Sequence, residues 1–562
     1  MRLLCVLLAC LVLIPYPSAA QSTTTDPARL APALRSRDVS ILEHRRLDMF
    51  NPLGDPNAIE PTITITPVGQ LGYDATFDFT NTTNTPKPLG RLCIGVFTLG
   101  QNITYTKPSR GCTLVDTTWN RYIGQAWPYP GSAYSPMISL MNDDFAVGVS
   151  LIYPVLEYKH DVLVRLVKGG GVFKGPKATR GWIVYFDLNN GPHANRFTTL
   201  AHPAMLEPGR HRRYTVAVRA IKRNPARPRS ITGEQDWLET LLPYRDYFQS
   251  KYGPVQYQRN PRPVLARELS NASAQSSRNP RGLLGGKSKR PDLVGFTPIA
   301  QELARPTGYP RLMLWAPSGL FDKGSKFNYP SRFTLGWNDL PRLRTAVSSR
   351  GLPLIPRSGT QLGLWWGRSS EYASKWNDTH VVPLDITNAE HMQSVVEQLT
   401  LASKAGATMI GLDNFVHHLL PVWDQVAYLR ALHILYPSLT FITEPISCDV
   451  VHVVAPTFVR DFRAPKDGTR ESDFHQLRGP HYFADFLLPG HEIWGYFRYP
   501  EIKRVRPTRI TPARVQRDAD RIASFGFVPV MATRFPLGDP ASATAAETWR
   551  TTVPASLRPA DP

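Results

Sequence analysis

The chain has 562 residues, 42% of them hydrophobic and 10% aromatic, which is apolar surface for more than one core and excludes a disordered chain. Its 65 Lys and Arg stand against 45 Asp and Glu, a formal charge of +20, and 52 prolines point to many loops and short elements. A basic balance suits an acidic polysaccharide, an anionic lipid or a nucleic acid. Here the arginines are spread over the whole length, so charge alone selects no partner.

Residues 1–20 have the pattern of a secretory signal. Arg2 is followed by the apolar stretch Leu3–Ile14, then by Pro15 and Pro17, and Ser18-Ala19-Ala20 closes it with small residues. The apolar stretch is shorter than the roughly 20 residues a membrane-spanning helix needs, and no later segment is apolar enough to span. The expectation is a secreted or periplasmic protein with a cleaved leader and no transmembrane segment. Cleavage leaves Cys93, Cys112 and Cys448. Cys93 and Cys112 lie in neighbouring predicted strands, and export permits a disulfide between them; two separate thiols are the other reading. There is no CxxC pair, so a cysteine metal site is not expected.

Residues 21–44 read as a flexible leader. From 45 to 222 short alternating runs follow one another between turns: Thr62–Ile65, Ala75–Phe79, Phe145–Val149, Trp182–Phe186 and Tyr214–Val218. Close-set strands of this kind predict an antiparallel β-sandwich. Residues 223–305 read as a connector. It holds one amphipathic helix over 234–250, with Trp237, Leu238, Leu241 and Leu242 as its apolar face, and a polar basic loop over 270–291. That loop reads as a solvated linker, so no nucleic-acid partner is expected.

From 306 to 545 apolar runs of strand length alternate with helical stretches. The predicted strands are Arg311–Ala316, Leu352–Arg357, Val381–Ile386, Thr408–Asp413, Leu439–Glu444, Val450–Ala455, Glu492–Phe497 and Phe527–Met531. Eight parallel βα units predict a (β/α)8 TIM barrel, with 546–562 as a tail. An open doubly wound sheet usually carries a Gly-rich phosphate loop, and none is present.

In such barrels the chemistry lies at the C-terminal strand ends. A carboxylate closing an apolar strand is costly unless it is solvated, paired or used. Asp413 closes the fourth predicted strand and Glu444 the fifth, so the two face one cavity as nucleophile and proton donor of a glycosidase, or one of them serves as a helix cap or arginine partner. Asp385 closes the third and is placed to cap the next helix or to contact substrate. Sugar rings stack on indole faces, and Trp315, Trp365, Trp366 and Trp494 fall near strand ends or in loops. Gly363–Arg368 reads as a loop presenting Trp365 and Trp366. His417 is a candidate hydroxyl ligand, and Arg357 and Arg460 are candidate partners for an anionic group on the substrate. No HExxH, G-x-S-x-G or P-loop is present, so no metal or cofactor is expected.

With these residues in place the chain resembles a secreted two-domain glycoside hydrolase, a β-sandwich followed by a TIM barrel. Gly411-Leu412-Asp413 with Thr443-Glu444 is similar to the arrangement in the α-amylase-like barrel families. That resemblance implies Asp413 as nucleophile and Glu444 as acid/base. Gly411 stands where those families place an arginine, and Asp485, Glu492 and Glu501 are the candidates for their third acid. A galactosidase-like arrangement would instead pair Asp413 with Asp461. The expected function is an exported glycoside hydrolase acting on a poly- or oligosaccharide, acidic or sulfated, with retention. The alternative is a non-catalytic carbohydrate-binding or envelope protein on the same scaffold.

Overall fold

The computed structural model describes residues 40–41, 57–69, 71–98, 105–110, 117–118, 126–131, 133–141, 145–168, 182–189, 200–223, 236–268, 311–315, 361–366, 369–372, 382–404, 407–413, 415–444, 448–459, 482–498, 512–524 and 526–533. The chain divides into two compact units, Met1–Gly253 and Pro254–Pro562.

The first unit is built on two antiparallel sheets. One has five strands, in the order Ser40–Ile41, Arg91–Thr98, Trp182–Asp187, Val162–Lys168, Ala126–Tyr129. The other has seven, in the order Thr62–Pro67, Gly72–Thr80, His211–Lys222, Phe145–Ile152, Ala133–Met141, Tyr105–Arg110, Thr117–Thr118. All five runs expected as strands are strands. Gly72–Thr80 alternates buried and half-buried residues, placing Tyr73, Ala75, Phe77 and Phe79 in the core. The long strand His211–Lys222 follows a tight turn in which Gly209 sits at φ +69° and the Arg210 amide donates to the Glu207 carbonyl. The Asn81 side chain donates to the carbonyls of Thr85 and Leu206, so this Asn-X-Thr asparagine is spent inside the fold.

The expected connector helix begins as the 3-10 turn Asp236–Leu241 and continues as the α-helix Leu242–Tyr252. Trp237, Leu238 and Leu241 are buried as the apolar face predicts. The helix belongs to the first unit and packs on Phe145–Ile152, where Gly148 lets Thr240 approach.

In the second unit eight parallel strands close into a barrel: β1 (Val264–Glu268), β2 (Arg311–Trp315), β3 (Gln361–Trp366), β4 (Ala407–Leu412), β5 (Thr440–Thr443), β6 (Thr457–Val459), β7 (Ile493–Arg498) and β8 (Val528–Thr533). Every neighbouring pair is parallel, and β1 closes the ring against β8. Among the described residues five helices lie between the later strands: α1 (Ala389–Lys404), α2 (Val422–Leu435), α3 (Asp449–Val454), α4 (Tyr482–Leu487) and α5 (Pro512–Ser524). Helix α1 buries Val395, Leu399 and Ala402, a stripe at helical spacing, and α5 buries Ala519 and Ile522. Inside the barrel, Val264, Met313, Trp365, Met409, Ile442, Phe458, Trp494, Val528 and Val530 fill the axis.

Three strand assignments differ from expectation, and a fourth lies outside the described residues. The barrel opens at Val264, inside the expected connector. Val450–Ala455 is not a strand: Asp449–Val454 is helix α3, and the sixth strand is the three-residue Thr457–Val459. Val382–Pro383 is a short strand, but it pairs antiparallel with Glu371–Tyr372 outside the barrel. The third barrel strand is Gln361–Trp366; the expected strand Leu352–Arg357 lies outside the described residues.

Candidate active site

Strand alternation decides what faces the barrel axis. Met409 on β4 and Ile442 on β5 point inward, so Gly411 and Asp413, and likewise Glu444, follow on the same face. The parallel ladder pairs Leu412 with Thr443. It continues one rung further, because the Glu444 amide donates to the Leu412 carbonyl at 3.0 Å and the Phe415 amide donates to the Glu444 carbonyl at 2.7 Å. Asp413 and Glu444 therefore occupy one level at the C-terminal mouth, on adjacent strands. Both are buried, each 5% exposed. Backbone pairing sets their spacing, at the ~4.8 Å of neighbouring strands.

On its other side Asp413 is tied to β3. Its amide donates to the Trp366 carbonyl at 2.9 Å, and its carbonyl accepts from both the amide and the Oγ of Ser369, at 3.0 and 2.9 Å. Ser369 opens a short ribbon, Glu371–Tyr372 against Val382–Pro383. The Tyr372 hydroxyl donates to Glu390, and its ring stacks on His391 at 3.8 Å, which docks the ribbon on the first turn of α1. The Glu390 carboxylate pushes the Tyr372 hydroxyl up to about 12. Ser369, Ser370 and Glu371 are all buried. Sequence reasoning missed this segment, because Ser-Ser-Glu after a Trp pair carries no periodic or motif signal.

Trp365 and Trp366 are not in a loop. They are the last two residues of β3 and are fully buried. Trp365 lies at the level of Gly411 and Ile442, one inward layer beneath Asp413 and Glu444. Its ring meets Phe458 edge-on at 5.2 Å. A Cβ on Gly411 would lie 2.0 Å from the Trp365 Cε3, so only glycine lets the indole cross β4 there. The same contact explains why no arginine stands two residues before Asp413: the indole occupies its space.

Trp494 is placed at the opposite end. Its ring packs beneath the Arg311 guanidinium at 4.8 Å, and its Nε1 donates to Glu492 at 2.5 Å. Glu492, one of the candidate third acids, forms a buried ion pair with Arg311 at 2.9 Å. Arg311 also donates to the Asn260 carbonyl, and the Asn260 amide donates to Glu492. These residues lie at or before the N-terminal ends of β1, β2 and β7, so Trp494 and Glu492 plug the barrel floor and do not reach the site. Asp485 sits on α4, beside His491 at 3.7 Å, also ahead of β7.

The remaining candidates separate in the same way. Asp385 is exposed and accepts from the amide and hydroxyl of Thr387, which hold its carboxyl below the usual range. Asn388 Oδ1, not Asp385, caps α1 by accepting from the Glu390 and His391 amides. His417 accepts from the Val422 amide at 3.0 Å and meets Trp423 edge-on, capping α2 where Pro421 has no side-chain acceptor. Trp315 ends β2 in register with Glu268, at the C-terminal mouth. Arg357, Arg460, Asp461, Glu501 and Cys112 lie outside the described residues, and with Cys112 the expected disulfide to Cys93. Cys448 is buried. Among the described residues no three His, Cys, Asp or Glu cluster closely enough to hold a metal ion, and no helix is long and apolar enough to cross a membrane.

No family model matches the chain, and no curated protein matches it. Solved structures give low-level likenesses. A β-arabinopyranosidase is 11% identical over 70% of this chain and 54% of its own, with a TM-score of 0.34. A glycoside hydrolase family 97 enzyme from Pseudoalteromonas sp. strain K8, in complex with acarbose, is 10% identical over 70% and 55%, with a TM-score of 0.35. The glycoside hydrolase domain of PelA from Pseudomonas aeruginosa is 13% identical over 48% and 94%, with a TM-score of 0.26. The chain spans about half the length of the first two. At these scores and identities the likeness assigns no family and no activity to this chain.

Proposed function

We propose that the protein is an exported glycoside hydrolase, a β-sandwich followed by a TIM barrel, that cleaves a poly- or oligosaccharide with retention. One observation carries the reading. Two buried carboxylates, Asp413 and Glu444, stand on one level at the C-terminal ends of adjacent parallel strands, above the Trp365 indole. Two acids on neighbouring strands are set for the ~5–5.5 Å separation of a retaining pair, in which the second acts as nucleophile.

In the first step a carboxylate oxygen of Asp413 attacks the anomeric carbon while the Glu444 carboxyl gives its proton to the departing glycosidic oxygen. The glycosidic C–O bond breaks as the new ester bond forms. In the second step Glu444, now a carboxylate, takes a proton from water, and the hydroxide oxygen displaces Asp413. The enzyme is restored, and two inversions give net retention. A formal charge of +20 suits an acidic or sulfated glycan without selecting it, and the salt series below decides between that and a neutral substrate.

The test is to incubate the mature protein with neutral, uronic and sulfated glycans, assay new reducing ends, and run Asp413→Asn beside it. Release by the wild type that falls about 10³-fold or more in the variant is the expected result. Release that survives the substitution moves the site elsewhere. Binding without release by the wild type supports the non-catalytic carbohydrate-binding reading. A rate that falls steeply as salt rises marks the substrate as anionic, and one indifferent to salt marks it as neutral.

A further inference from the structure

We infer that Ser369 is the positioning residue for the Asp413 carboxylate; the inference rests on the glycosidase reading above. Asp413 follows the last residue of β4, where regular strand pairing would stop. Its carbonyl instead accepts two hydrogen bonds from one residue, the amide and the Oγ of Ser369. With its own amide donated to Trp366, both peptide groups flanking the Asp413 Cα are held by the same segment of chain. Those peptides set φ and ψ at Asp413 and so the direction in which its Cβ leaves the backbone.

The donor is itself fixed. Ser369 is buried at 1% exposed. The ribbon it opens is tied at three further points: the Ser370 carbonyl accepts from the Leu384 amide, the Tyr372 hydroxyl donates to Glu390, and the Tyr372 ring stacks on His391. The Glu444 backbone is held in a similar way, its amide donating to Leu412 and its carbonyl accepting from Phe415; at Asp413 the Ser369 hydroxyl adds a second donor to the carbonyl. A nucleophile must meet the anomeric carbon within a narrow range of distance and angle. The second donor on the Asp413 carbonyl narrows the orientation that residue can take.

Ser369→Ala keeps the amide bond and removes the hydroxyl bond. On the glycan that the wild type cleaves best, kcat should fall about tenfold with KM unchanged, because the ground-state contacts remain and only the attack geometry is degraded. Ser369→Thr, which restores a hydroxyl at the same atom, should recover most of kcat. Thermal unfolding of each variant is followed in parallel and kcat is normalised to folded protein. If Thr is too large for the site, Ser369→Cys, isosteric with a weak donor, should fall between serine and alanine. Unchanged kcat in a folded Ser369→Ala overturns the inference and leaves the glycosidase reading intact. So does a loss of kcat that neither hydroxyl nor thiol recovers in folded protein. A wild type that releases no reducing ends from any glycan overturns both.

Discussion

Gly411 and Trp365 decide the depth of the candidate site. The indole crosses β4 over the one residue without a side chain, and a methyl there would have to displace the ring by more than an ångström. Gly411→Ala should therefore cost about 1–3 kcal/mol of stability by overpacking and should also lower activity, because the displaced ring pushes into the layer that holds Asp413 and Glu444. Denaturant melts and the reducing-end assay check the two effects together. The same glycines explain what was legible in the sequence. Asp413 and Glu444 could be read directly, since an acid that ends an apolar run calls for a reason. The Trp pair could not, because Gly363 and Gly367 on either side of it look like loop punctuation. Gly363 in fact makes room for Met313 and Met409, and Gly411 for Trp365. They are packing glycines inside strands, and only the barrel's interior volume reveals that.

Among the elements, the Arg311–Glu492 pair holds the floor of the barrel. It ties β2 to the residue before β7, and through Asn260 to the approach of β1. Both side chains are dry, at 2% and 1% exposed. Removing one charge strands the other, so Glu492→Gln should destabilise by about 3–5 kcal/mol while kcat of the folded protein stays at the wild-type value. Urea unfolding beside the activity assay tests both halves. Sequence reasoning found β2, β4, β5, β7 and β8 because runs such as Thr408–Leu412 are apolar on both faces, as parallel strands must be. It misread Val450–Ala455 because a helix buried all round has no polar face, and its run of valines has strand composition. It missed β6 because three residues show no period. It missed β1 because Pro261 and Pro263 before it and Arg267 and Glu268 within it mask the run.

Across the whole barrel unit, a group of buried ionisable residues near the floor sets the response to pH. Burial, aided by Arg259, pushes His491 down to about 4, and burial beside His491 pushes His452 well below its ordinary value. Burial pushes Asp485 up to about 7, against the pull of Arg259. An unfolded histidine takes up its proton near pH 6.5, whereas folded His491 waits until about 4. Stability from each histidine is therefore complete above 6.5 and is lost as pH falls below it, for His491 down to about 4, at up to ~1.4 kcal/mol per pH unit per group. Asp485 acts in the opposite sense. Its contribution is complete below 3.8 and is lost as pH rises to about 7, where a buried carboxylate must ionise. His491→Gln should flatten the acid-side loss between pH 6.5 and 4. Asp485→Asn should gain on the wild type in stability at pH 8 relative to pH 4. Urea midpoints across a pH series read both.

The filled axis and the dry ion pair at its foot also fix traffic. From Trp365 downward the described residues fill the axis, through Phe458, Met409 and Trp494 to the Arg311–Glu492 pair. A molecule that reaches Asp413 and Glu444 has no exit through the barrel and must leave by the face it entered. Under the proposed hydrolysis, spent product occupies the doorway that fresh substrate needs, so accumulating product should act as a competitive inhibitor, raising KM and sparing kcat.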